Sequence, residues 1–268
     1  MDRKRRWTWV IFAVVLLAAF IFGGCSPAAT PTPTPEVKEI GFAHPELLVE
    51  TDWLAGHLKD ADLRLVDARK AEDYQAGHIP GAVSIPRDST FDPAAPKGMV
   101  GQPEQIAALF GGKGINETVH VVVYDAGKDT AAARVLWTLE YYGHPRVSVL
   151  NGGFTKWQAE GREVTVEEPT FTAVTFTVRP APAIFSTREE ILADIGQADV
   201  VILDARSPAE YRGEDVRAKR GGHIPGAVNM DWVENFTAGE VPVFKSAAEL
   251  AQLYEAAGVL RDKRIHAY

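Results

Sequence analysis

Three observations predict an α/β fold of two similar domains, each a parallel sheet flanked by helices. The first is an internal repeat: "RLVDARKAEDYQAGHIPGAVSI" at 64–85 returns as "VILDARSPAEYRGEDVRAKRGGHIPGAVNM" at 201–230. The second is that short β-rich runs alternate with helical patterns inside each copy, as βαβ units do. The third is a set of capping-box patterns, Ser186-Thr187-Arg188-Glu189 and Ser246-Ala247-Ala248-Glu249, where helices should open.

Taken in chain order, the N-terminus reads as a targeting segment. Arg3, Lys4, Arg5 and Arg6 precede the apolar run Trp7 to Phe22, which ends in Gly23-Gly24-Cys25. A basic start, an apolar run and small residues at a cleavage point make 1–24 a secretory signal. The Pro/Thr-rich stretch 25–44, with "PTPTP" at 31–35, reads as a stiff, solvated tether. The first domain then spans 45–162, with strands expected near 63–67, 82–85, 119–124 and 147–150. Helices are expected near 102–109 and 130–142, the latter opening at a cap on Asp129 or Thr130. Residues 163–184 are Pro- and Thr-rich with no helical period, and read as an extended linker. The second domain spans 185–268, with strands near 200–204, 226–229 and 264–268.

The two copies align in detail. Asp67 maps to Asp204 and Arg69 to Arg206 at an offset of 137, whereas His78 maps to His223 at 145. The second copy therefore holds eight extra residues, within "RGEDVRAKRG" at 212–221. "GINETVHVVVY" at 114–124 pairs with "GVLRDKRIHAY" at 258–268.

Composition excludes some chemistry. The formal net charge of −8 disfavours nucleic acid bound through a basic face. Small anions remain admissible, because a local cradle of N–H groups overrides the global sign. Cys25 is the one cysteine, so no internal disulfide and no cysteine metal cluster is available. The seven histidines show no ligand spacing, and neither metal nor cofactor is expected.

The "DAR…EY…GHIPGA" pattern, the Tyr-ended strand after a helix, and "NGGFTKW" at 151–157 together resemble the rhodanese family in its tandem-domain sulfurtransferase form. The resemblance covers 45–268, the second domain incompletely. It implies a catalytically silent first domain and a second domain with a nucleophilic cysteine at the end of its central strand. Such a cysteine takes a sulfane sulfur from a small anionic donor, thiosulfate or 3-mercaptopyruvate, and passes it from a persulfide to a thiol or cyanide. A strand end followed by inward N–H groups and a helix N-terminus suits this chemistry, because partial positive charge lowers the thiol pKa and cradles the anionic persulfide. The N-terminal run likewise resembles a bacterial lipoprotein signal, with Cys25 lipidated and the folded part exported and held on a membrane.

In the first copy Asp125 stands at the nucleophile's position, so it is expected to be a degenerate site whose charge repels an anionic donor. A competing reading takes "VVVYDAGKD" as an aspartyl nucleophile. In the second copy Tyr268 pairs with Tyr124, so the expected nucleophile is the residue after Tyr268. This suggests a chain cut short there, and one origin is a UGA codon for selenocysteine, whose soft, acidic selenol fits the position. Asp204 and Arg206 are expected to support the site as an ion pair. Glu210 and Arg212 lie beside the loop that in the family approaches the donor, and Arg212, Arg217, Lys219 and Arg220 offer positive charge there. The rival to an enzyme is a non-catalytic rhodanese-like module that binds anions or a protein.

Overall fold

The computed structural model describes residues 41–268, so the signal, Cys25 and most of the tether lie outside the described residues. Copy one is built on a five-stranded, all-parallel sheet. Its strands are β1 (Leu48–Val49), β2 (Leu63–Asp67), β3 (Ala82–Ser84), β4 (His120–Tyr124) and β5 (Val147–Leu150), in the spatial order β1-β5-β4-β2-β3. The helices are α1 (Thr51–His57), α2 (Ala71–Ala76), α3 (Pro103–Gly111), α4 (Ala131–Tyr141) and α5 (Gly153–Ala159). The central strands carry Val and Leu on both sides because helices cover both faces, as parallel sheets require. One face packs Val66, Val121 and Val123 against α3 and α4, with Phe110, Val135 and Leu139 buried. The other packs Leu65, Val122 and Tyr124 against α1 and α5, with Leu54, Phe154 and Trp157 buried.

Copy two repeats the frame with fewer parts. α6 (Arg188–Asp194), β6 (Val200–Asp204), α7 (Pro208–Arg212), β7 (Val228–Asn229), α8 (Ala247–Ala256) and β8 (Arg264–Ala267) form a three-stranded parallel sheet of order β7-β6-β8. This matches β3-β2-β4, and the register agrees as well: Leu63 faces His120 in the first sheet, and Val200 faces Arg264 in the second. The inner strand of copy one therefore has an edge strand as its counterpart, with β8 paired to β6 alone among the described residues.

Four expectations need adjustment. The cap of α6 is Thr187 with Glu190, one residue beyond the Ser186–Glu189 pattern, because the Ser186 hydroxyl instead lies 2.7 Å from Nδ1 of His266. Neither Asp129 nor Thr130 caps α4 with its side chain; the Ala132 N–H is taken from within the loop, by Asp125. Strand β7 is two residues long, since Gly226 and Ala227 belong to the turn of the "GHIPGA" motif. Finally, 163–184 is extended but is no free linker. His78 and Thr165 exchange backbone hydrogen bonds of 2.9 Å, Phe176 is buried in the first core, and the Arg64 guanidinium sits 4.1 Å from the Phe171 ring centroid. The segment straps copy one and then hands the chain to copy two, and both sheets belong to one compact unit.

Candidate active site

The frame of the site is assembled from the ends of two adjacent strands, and both copies build it alike. In copy one the Asp67 carboxylate, fully buried at the end of β2, accepts from the Arg69 backbone N–H at 2.9 Å and from Arg69 Nη2 at 2.6 Å. Arg69 Nη2 also donates to the Gly77 carbonyl at 2.7 Å, tying the strand end to the turn before "HIPGA". In copy two Asp204 accepts from the Arg206 N–H at 3.0 Å and from Nη2 at 2.6 Å, and the same nitrogen reaches the Gly222 carbonyl at 2.9 Å. Burial pushes the Asp204 pKa up, but the Arg206 hydrogen bonds outweigh burial and hold it below the ordinary carboxylate value. A buried, multiply bonded pair of this kind acts as a scaffold: removing one partner strands a charge in the interior.

The tyrosine that ends each central strand completes the frame. The Tyr124 hydroxyl oxygen accepts from the Ile79 N–H at 3.1 Å, and that of Tyr268 from the Ile224 N–H at 3.0 Å. Their carbonyls accept from Ala68 N at 2.8 Å and Ala205 N at 2.9 Å. Each tyrosine is thus held at ring and backbone, and in copy one this fixes the point at which Asp125 is presented. His78 and His223 serve the same turn, stacking on Tyr74 and Tyr211 with ring centroids 3.7 Å apart in both copies.

In copy one the presented residue is Asp125, and its carboxylate does more than repel. Oδ1 accepts from the Gly127 N–H at 2.8 Å and Oδ2 from the Ala132 N–H, in the first turn of α4, at 2.9 Å. The side chain occupies the cradle as an internal anion, buried and with its pKa pushed up by that burial. The "NGGF" motif secures the loop from beneath. Phe154 N donates to the Asp125 carbonyl at 2.8 Å, and Gly153, at φ +54°, lies so close that a Cβ there would stand 2.5 Å from that oxygen. Only glycine fits such an approach. Nothing in this arrangement activates Asp125 as a nucleophile: both oxygens are committed to backbone donors.

The remaining candidates separate. Glu210 closes a capping box on α7, accepting from Ser207 N and Oγ at 3.2 and 2.9 Å, and its other oxygen lies 3.4 Å from Arg217. Arg212 forks onto Glu214 at 2.7 and 2.8 Å, and Arg217 pairs with Asp215, so these two charges of the insertion are neutralised locally. The structure therefore brings Asp204, Arg206 and Tyr268 together and leaves Arg212 exposed, away from them in its own pair. The Ser207–Glu210 box is legible in "SPAE", a capping pattern with Pro208 in the first turn. Among the described residues no group of His, Cys, Asp and Glu is placed to hold a metal.

Comparison with known proteins agrees with this geometry. The model of the rhodanese-like domain matches residues 50–160 and 187–268. The chain is 39% identical over 230 residues to the thiosulfate sulfurtransferase of Azotobacter vinelandii, covering 84% of this chain and 82% of that protein. It is 36% identical over 244 residues to the sulfur carrier protein TtuD of Thermus thermophilus, covering 85% and 84%. The crystal structure of SseA from Escherichia coli, described as a 3-mercaptopyruvate sulfotransferase of rhodanese fold, superposes with a TM-score of 0.75 at 31% identity over 82% of this chain and 87% of that one. With the paired Asp–Arg frames, the Tyr-ended strands and matches that span both copies, the chain belongs to the rhodanese family as a protein of two rhodanese-like domains.

Proposed function

We infer that the protein is a sulfurtransferase that moves a sulfane sulfur from thiosulfate or 3-mercaptopyruvate to a thiol or cyanide acceptor. The observation that carries this reading is the duplicated presenting frame, Asp204–Arg206 with Tyr268 held by Ile224 N, which repeats the frame that delivers Asp125 into its cradle. The reactive position is then the residue after Tyr268. A thiolate or selenolate there attacks the transferable sulfur of the donor: the S–S bond of thiosulfate breaks and sulfite departs with the electron pair, or the C–S bond of 3-mercaptopyruvate breaks and the pair leaves on the pyruvate enolate, which is protonated to pyruvate as the new persulfide loses its proton. The acceptor thiolate or cyanide next attacks the terminal sulfur of the persulfide, and the nucleophile leaves as the anion. Asp204 and Arg206 are positioning residues in this scheme. Relatives named for thiosulfate and for 3-mercaptopyruvate support both donors.

The test is a sulfurtransferase assay on the protein encoded with the codons downstream of Tyr268, with mass spectrometry for a persulfide. Turnover with either donor and a mass gain of one sulfur at the residue after Tyr268 are expected. A folded product inactive with both donors would sink the reading in favour of a binding module. A downstream codon other than UGA rules out the selenocysteine origin alone. The protein is further proposed to be exported and lipid-anchored through Cys25. Labelling with a tagged fatty acid that fails to mark the wild-type chain, or marks Cys25→Ala equally, would contradict that anchor.

A further inference from the structure

Histidines gather at the end of the first sheet opposite to Asp125, where β4 and β5 begin. A cavity of about 420 Å³ there is walled by His44, His120, Glu140, His144, Arg146 and Ser148. His144, 6% exposed, has both ring nitrogens committed. Nε2 lies 3.0 Å from the Asn116 carbonyl, which can only accept, and Nδ1 lies 3.3 Å from the Arg146 backbone N–H, which can only donate. The ring is therefore fixed as the neutral Nε2–H tautomer. A proton on Nδ1 would set N–H against N–H and break the bond to Arg146. His120 is tied in a relay: the Ser148 hydroxyl donates to the Glu46 carbonyl at 2.6 Å, so it accepts from His120 Nε2 at 2.7 Å.

The surroundings resist a charge on either ring. Burial is the main influence that lowers the His120 pKa; the Arg146 charge lowers it further, Asp62 opposes, and His144 and His57 add to the repulsion. Burial also leads in lowering that of His144, against the Asn116 hydrogen bond and the Glu117 charge, with Arg146 on the side of burial. Of the remaining wall groups, Glu140 on α4 has its own pKa raised by burial, and Glu46 pairs with His44 at 3.0 Å on the rim. Arg146 links the cluster to the sheet. Its N–H is held by His144, its carbonyl accepts from Val121 N at 2.9 Å, and β5 starts at the next residue. The two-residue β1 is an edge strand paired to β5 alone among the described residues. Copy two has no such cluster, since Arg264 stands where His120 does.

We propose that this cluster is a proton-operated latch: protonation of His144, with His120 beside it, frees Arg146 and the start of β5, and the edge segment 44–50 opens while the rest of the sheet stays closed. The folded state holds these rings neutral, so the latch is closed above the ordinary histidine value of 6.5 and loosens as pH falls below it. Each further pH unit populates the open form about tenfold more, until the folded pKa is reached. The experiment is hydrogen–deuterium exchange of the full chain at about pH 7.5 and about pH 5.5, corrected for intrinsic rates and read by mass spectrometry. Opening of 44–50 should rise about tenfold at the lower pH, while 63–67 in β2 stays protected. His144→Gln, a neutral side chain that keeps a donor for the Asn116 carbonyl, should abolish the rise, and His120→Gln should reduce it. NMR titration of the wild-type histidine rings needs no variant and should place His144 below 6.5. Should His144→Gln fail to fold, that titration and His120→Gln still decide. A rise below about twofold, an equal rise in His144→Gln, an undiminished rise in His120→Gln, equal opening of 63–67, or His144 titrating at or above 6.5 overturns the proposal. None of these readings involves sulfur transfer, so failure here and failure of the proposed function are distinguishable.

Discussion

Asp125 shows how one residue turns a reactive loop into a structural one. Its two carboxylate oxygens take the Gly127 and Ala132 N–H groups, the donors that would otherwise face an anion. Asp125→Ala strands both buried donors, and we expect a loss of about 1–3 kcal/mol in urea unfolding of the first domain. The raised pKa of the carboxyl reports the opposing cost of burying its charge, so stability unchanged in the alanine variant would mean that desolvation cancels the cradle. A further contrast at this scale separates the domains. Arg69 is 8% exposed beneath the Phe154 ring, whose centroid lies 3.8 Å away, whereas Arg206 is 35% exposed with Tyr268 as its aromatic neighbour.

At the scale of elements, α1 and α5 of copy one are clamped together by charge. Lys156 bonds Thr51 at 2.7 Å and pairs with Glu50 and Glu160, while Arg162 pairs with Glu160 and Asp52. Burial works to raise the Glu160 pKa, yet hydrogen bonds from Arg162, Thr51 and Lys156 prevail and bring it from the ordinary 4.5 to about 2. A carboxylate whose folded pKa is depressed contributes stability above its unfolded value and loses it as pH falls toward the folded one. The clamp's contribution is therefore complete above pH 4.5 and disappears between 4.5 and about 2. Glu160→Gln should remove this part of the acid dependence, with a difference from wild type at neutral pH of about 1 kcal/mol or less, since the group is partly solvated. Urea midpoints measured across that range check it, and parallel wild-type and variant profiles would refute it.

Across the whole molecule the two domains are unequal. Copy one buries two extended clusters, one on each face of its sheet, while the cluster of copy two centres on Leu203, Met230 and Val259. α6 and α8 bury no residue fully, β8 leaves one edge unpaired among the described residues, and Ile265 on it is 44% exposed. Unpaired strand edges and thin cores open first. Limited proteolysis of the chain 1–268 should cut within 185–268 well before 45–162. Equal resistance of the two regions would show that the strap and the interdomain bond from Phe244 N to Asn151 Oδ1, at 2.9 Å, hold copy two as firmly as copy one.

Much of this was written in the chain. The repeat set the parallel α/β frame twice, and the register of β2 with β4 is matched by that of β6 with β8. The DAR and GHIPGA motifs located the ends of β2 and β6 and the turns before β3 and β7, because these are local signals of fixed spacing. Short helices such as α1 and α2 carry no such signal, being held by packing and not by period. What tertiary structure alone decided is where side chains satisfy one another over long separations. It set Asp125 in its own cradle, the 163–184 segment as a strap, and Phe244 N on Asn151 Oδ1. The physical reason is that periodicity and motif spacing encode which face is apolar and where the chain turns, whereas the pairing of a buried polar group depends on whatever neighbour folding brings within about 3 Å.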